Sequence, residues 1–171
     1  PKGTGPRLIL EDGRVVDESL DVMLHALEGD DPEGWLNPEE GTRDEMLDLI
    51  AACDGPFKHH LDRYKYASRY EEEGAVSEDH RKAGSAFLET LDARLATRDQ
   101  LFGTRVSLAD MALMPFIRQF ANTDRDWFDA SPYPNLKEWL AAHHASPRFK
   151  SVMPKFEQWK TGDTEPVFPS A

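Results

Sequence analysis

Two short stretches of this chain carry residue types suited to holding a small charged ligand. Gly5-Pro6 stands just ahead of the β-type run Arg7-Leu8-Ile9-Leu10. A proline there can hold a cis peptide, which turns the preceding backbone outward so that its N–H and C=O can pair with a peptide-like ligand. Asp17-Glu18-Ser19 opens a helix. A helix N-terminus offers unpaired N–H groups and a positive dipole end to a carboxylate. Ser19 can add a hydroxyl and Glu18 can receive an ammonium, so together they suit the α-carboxylate and α-amine of an amino acid. Taken alone, the pair is equally an ordinary helix start.

The run Phe57-Lys58-His59-His60-Leu61-Asp62-Arg63-Tyr64-Lys65-Tyr66 mixes aromatic and basic residues at helical spacing. His60 and Tyr64 are four apart and share a face. The run reads either as a helix with one packed and one solvated side, or as the wall of a cleft for an anionic ligand with an apolar appendage. Two adjacent pairs, His59-His60 and His143-His144, raise the question of a metal. Neighbours on a helix point about 100° apart, and no His or Glu at i+4 completes a set, so no metal site is expected. Cys53, the single cysteine, has no CxxC partner and reads as a small buried hydrophobe.

The elements that must position these residues are mostly helical. Ser107 to Phe120 is a central helix, with Ser107 as N-cap, Asp110 placed for a capping box, and Val106 and Met111 at the staple positions. Its apolar arc is too wide for a surface helix, and Pro115 predicts a kink. Residues 1–16 read as a hairpin turned at Asp12-Gly13, followed by a helix through Leu20, Met23, Leu24 and Leu27 that ends near Gly29. Residues 30–41 form a linker, with Trp35 and Leu36 as a plug. From Thr42 the pattern is helical: Asp44 to about Cys53, a bend at Gly55-Pro56, Phe57 to Tyr70, a helix capped by Ser77, the central helix, Pro134 to His144, and Pro147 to Phe156. A surface tail, Lys160 to Ala171, closes the chain.

The formal net charge of −12 disfavours nucleic acid and anionic membrane surfaces as partners. No apolar run reaches bilayer length and no signal pattern opens the chain, so a cytoplasmic location is expected.

In order along the chain, these features resemble the glutathione transferase superfamily. Pro1-Lys2-Gly3-Thr4-Gly5-Pro6-Arg7-Leu8 is similar to its cis-proline segment, and Asp12-Gly13 and Asp17-Glu18-Ser19 follow as they do there. Val106-Ser107-Leu108-Ala109-Asp110 resembles its capping-box helix. Pro132-Tyr133-Pro134-Asn135-Leu136, Trp139 and Ser146-Pro147-Arg148-Phe149 also fit. The resemblance implies a mainly α fold: an all-helical bundle like the family's C-terminal domain, plus the last hairpin and helix of a thioredoxin-like α/β domain. The division would be 1–29 partial thioredoxin-like domain, 30–41 linker, and 42–171 helical domain.

It also implies a function. Glutathione would be the co-substrate, held by the Gly5 backbone, cis-Pro6, Glu18 and Ser19, with Lys2 near the glycyl carboxylate. A second substrate would lie against His60, Tyr64, Phe116 and Arg118. The protein would direct the glutathione thiolate at an electrophile or a disulfide, as a homodimer without a metal. In the family, a strand, a helix and a further strand precede this point and carry the Ser, Tyr or Cys that stabilises the thiolate. These 171 residues hold no counterpart, so the catalytic residue is left unassigned. Either those strands lie ahead of Pro1, which is not a methionine, or the chain is a truncated product. Gly5 also replaces the usual valine. The alternative is a non-catalytic scaffold of the same fold, serving assembly or partner binding.

Overall fold

The structure is a computed structural model that describes residues 7–158 and 160–164. The expectations for Lys2, Gly5, Pro6 and the end of the tail fall outside the described residues. Strands β1 (Arg7–Ile9) and β2 (Val15–Asp17) pair antiparallel with Leu8 opposite Val16. The Asp-Gly turn forms as its residue types require: Gly13 sits at φ +82°, and the Arg14 N–H donates to Asp12 Oδ1 at 2.9 Å. An Arg7–Asp17 ion pair of 2.8 Å closes the open end. Two strands are marginal alone. Here they lean on α1 (Ser19–Gly29), whose Leu20, Met23, Leu24 and Leu27 pack against the main core. Ile9 and Val15 remain 68% and 53% exposed, so the hairpin has an apolar side that the described residues do not cover.

The 30–41 segment is pinned at both ends. The Asp31 carboxylate accepts the N–H groups of Trp35 (2.8 Å) and Leu36 (3.0 Å). Both side chains pack on the core, as a plug would. Glu39 accepts from the Thr104 N–H and hydroxyl and from the Arg105 N–H and guanidinium, at 2.6 to 2.9 Å. These partners, Arg105 foremost, draw its pKa down to about 2. Gly103 lets the two segments approach: its φ is +132°, and a Cβ there would stand 2.8 Å from that of Glu39.

The bundle begins with α2 (Arg43–Ala52), capped reciprocally by Thr42 and Glu45. Gly55-Pro56 was expected to bend or break the run. The interruption takes the form of a π turn at Cys53–Phe57, after which the chain continues as α3 (Lys58–Lys65). One extra residue in the turn accommodates the proline's missing donor and its ring. Helix α3 stops short of the expected Tyr70. Arg63 pairs with Glu73 at 2.6 Å and lies 4.4 Å over the Tyr70 ring, folding 67–74 back as two short 3-10 turns. Helix α4 (Ser77–Leu95) starts after Val76, and Ser77 does not cap it: its hydroxyl donates to the Tyr64 carbonyl. After the loop at 96–107 come α5 (Leu108–Thr123), α6 (Arg125–Ala130), α7 (Pro134–Ala145) and α8 (Pro147–Val152). Helix α5 runs unbroken through Pro115 and carries nine buried residues, as its wide apolar arc requires. Asp92 of α4 accepts the Leu136 N–H at 2.9 Å and so caps α7 from another helix.

Asp110, fully buried, ties these pieces together. Its carboxylate accepts the Ser107 N–H (2.8 Å) and hydroxyl (2.7 Å), the Leu101 N–H (2.9 Å) and the Trp139 indole N–H (3.0 Å). Asp110→Ala would strand the Ser107 and Leu101 donors and leave the Trp139 indole only its longer bond to Gln100, and stranded buried donors cost about 1–3 kcal/mol each at full effect. The expected loss is at least about 3 kcal/mol in urea unfolding. Nearby, His143 Nε2 lies 2.9 Å from Gln100 Oε1. Burial holds the His143 pKa below its ordinary 6.5, against the opposing charge of Asp110. The unfolded chain therefore takes up this proton first as pH falls. Stability should drop as pH passes down through 6.5, and stop dropping below the folded-state pKa. Unfolding curves at pH 7.5 and 5.5 should show this loss, reduced in His143→Gln.

Candidate functional site

Strand β2 delivers the chain to α1 through a strained residue. Glu18 has φ +72° and ψ +146°, and among the described residues it is the one non-glycine with positive φ. A side chain held there costs on the order of 1–3 kcal/mol, and such strain gathers at ligand clamps. No side chain caps the helix that follows. The first-turn N–H groups of α1 are thus left to solvent or to a ligand.

Beside that turn lies a cavity of about 130 Å³. Ser19, Leu20 and Met23 form one wall, Cys53 and Asp54 a second, and Met111, Pro115 and Phe116 of α5 a third. The lining is almost wholly apolar. Pockets that enclose a drug-sized ligand run to about 300 Å³ and more, so this one has room for no more than a small apolar group. A larger and more polar depression of about 470 Å³ lies between Arg98, Gln100, Asn135 and Trp139. None of the residues expected from the sequence to hold a ligand lines it, and the helix start beside it, that of α7, is capped by Asp92.

Of the four residues expected at a second-substrate wall, the structure brings Phe116 to the cavity beside Ser19, with Lys58 Nζ 5.6 Å from its ring. The other three do not line it. His60 and Tyr64 do share a face of α3, but that face packs toward α4 and Phe120: His60 Nδ1 is 2.9 Å from His80 Nδ1, and the Tyr64 ring is 4.9 Å from that of Phe120. Tyr64 lines a separate depression with Ser77, Arg81 and Asp124. Arg118 lies over Phe149 of α8 at 5.4 Å. Helical spacing fixes which residues share a face, whereas the neighbour that covers the face is a tertiary matter. Sequence reasoning missed Met23, Asp54 and Met111 as lining residues. For Met111 and Pro115, spaced i and i+4, a signal existed.

Cys53 is 1% exposed. Burial, reinforced by the charge of Asp54, pushes its thiol well above the ordinary range. It is therefore a protonated wall residue and not a nucleophile at neutral pH. A chromogenic disulfide reagent at pH 8 should modify it about a hundredfold or more slowly in the native protein than in denaturant. Equal rates would contradict the burial.

A family model described as "Glutathione S-transferase, C-terminal domain" matches residues 59–142. Among solved structures, the chain is similar to a glutathione S-transferase from Rhodospirillum rubrum, at 21% identity and TM-score 0.70, covering 92% of this chain and 73% of that one. It is also similar to a glutathione S-transferase from Pseudomonas fluorescens, at 24% identity and TM-score 0.67, covering 86% and 73%. A further glutathione transferase family member from Pseudomonas fluorescens, with two glutathione bound, matches at 20% identity and TM-score 0.62, covering 81% and 64%.

Proposed function

We propose, from the match of residues 59–142 to the glutathione S-transferase C-terminal domain, that the chain is a member of that superfamily and belongs to a glutathione-dependent transferase. In this reading, residues 1–29 are the end of a thioredoxin-like glutathione-binding domain, 30–41 the linker and 42–171 the helical domain. The γ-glutamyl carboxylate sits at the uncapped start of α1, on its N–H groups and the Ser19 hydroxyl. Glu18, whose side chain makes no hydrogen bond or ion pair among the described residues, receives the ammonium. Gly5 and Pro6 take the cysteinyl backbone, and Lys2 the glycyl carboxylate. Met23, Met111 and Phe116 form the apolar end of the second-substrate site, while His60, Tyr64 and Arg118 lie outside it.

The observation that carries the reading is the strained Glu18, which places an open helix N-terminus at the mouth of an apolar cavity. The chemistry is transfer of the glutathione thiolate to an electrophile or a disulfide. A soluble cytoplasmic homodimer is part of the proposal. The group that lowers the thiol pKa of glutathione is not assigned to any residue of this chain.

The test is glutathione titration by calorimetry. Ser19→Ala should weaken binding by about 1–3 kcal/mol, the usual effect of unpairing buried polar ligand atoms. Unchanged affinity would remove Ser19 from the site. No affinity in the intact protein would favour the scaffold reading.

A further inference from the structure

Three imidazoles meet where α3 packs on α4, away from the cavity by α1. His59 and His60 come from α3, and His80 from the first turn of α4. Each offers one ring nitrogen, and these atoms all lie within 4.8 Å of one another. The ring centroids form a triangle with sides of 5.0, 5.2 and 5.9 Å. Adjacent histidines alone would diverge. The third residue converts the pair into a set, because His80 reaches across and its Nδ1 lies 2.9 Å from Nδ1 of His60.

The helix packing produces this approach. One turn beyond His80, Gly84 faces Phe120 and His60. A Cβ at Gly84 would stand 2.7 Å from the Phe120 ring and 3.7 Å from the His60 Cβ. The missing side chain lets Phe120 of α5 seat against α4 at this level, while His60 of α3 stands at ordinary contact distance.

We propose that His59, His60 and His80 form a binding site for a borderline divalent transition-metal ion, with zinc as the reference case. Imidazole nitrogens suit zinc, nickel and copper. Three ligands on a tetrahedron about 2.0–2.1 Å from the metal stand roughly 3.3–3.4 Å apart. The His60–His80 pair needs to open by only about 0.4 Å from its present contact to meet that geometry. His59 is exposed and the other two half-buried, so the site is open to ions from solvent, and a fourth position remains for water. Arg63 is the opposing cation, but its charge is committed to Glu73 at 2.6 Å. Burial lowers the pKa of both His60 and His80, which favours the neutral form a metal needs. The ion would clamp α3 to α4.

The full chain should be titrated with Co²⁺, read by its visible absorption, and then with Zn²⁺ in competition. One tetrahedral site per chain is expected, with Zn²⁺ displacing Co²⁺. Zinc should also raise the melting temperature, since it binds only the folded arrangement. His80→Gln and the exposed His59→Gln should each weaken Zn²⁺ binding at least tenfold, about 1.4 kcal/mol. His144→Gln should leave it unchanged. Melting temperatures of the metal-free variants close to the parent's would establish that the fold is intact. The proposal is overturned if no stoichiometric Co²⁺ spectrum appears, or if both His80→Gln and His59→Gln bind Zn²⁺ as the parent does. An equal loss in His144→Gln would also overturn it.

Discussion

A single buried carboxylate organises the helical part of this molecule. Asp110 has no contact with water, yet it accepts four hydrogen bonds from three parts of the chain. Removing an ion from water is expensive, and only a full set of donors makes it tolerable. The Ser107 contacts start α5. The Leu101 N–H holds the loop between α4 and α5, and the Trp139 indole holds α7. Trp139 also donates to Gln100 at 3.2 Å, and Gln100 in turn meets His143. If Asp110 were unpaired, the start of the most buried helix and the position of its neighbours would be lost together.

The constraint reaches the linker through the same loop. Once residues 101–105 are fixed from inside, Glu39 can grip them from outside, and Gly103 supplies the clearance. The Leu108 N–H, at the first residue of α5, donates to the Trp35 carbonyl at 3.0 Å. The linker is thus threaded along the start of α5. It returns the chain so that α1 faces the middle of α5. The cavity walled by Ser19, Met23, Met111 and Phe116 is a consequence of that route.

The two candidate sites have different origins. The one by α1 rests on local strain at Glu18 and an uncapped helix start, stored in a hairpin that is itself only partly covered. The histidine triangle rests on the packing of α4 against α3, where His80 reaches His60.

Much of this was legible from residue types and spacing. The Asp-Gly hairpin, the Ser107–Asp110 cap, the apolar arc of α5 and the plug at Trp35 follow from rules that act within a few residues, and the structure has each of them. The mainly helical fold followed as well. The early end of α3 and the Leu101 and Trp139 donors on Asp110 were not legible, because they depend on partners beyond the reach of local spacing rules. The same reason explains the sites. Spacing put His60 and Tyr64 on one face, but α4 and not the cavity covers that face. Spacing likewise set His59 and His60 apart, while His80, on another helix, joins them only when the fold is made. Sequence determined which side chains lie together along each element. Only tertiary packing decided what each face meets, since that depends on how closely elements remote in the chain can approach.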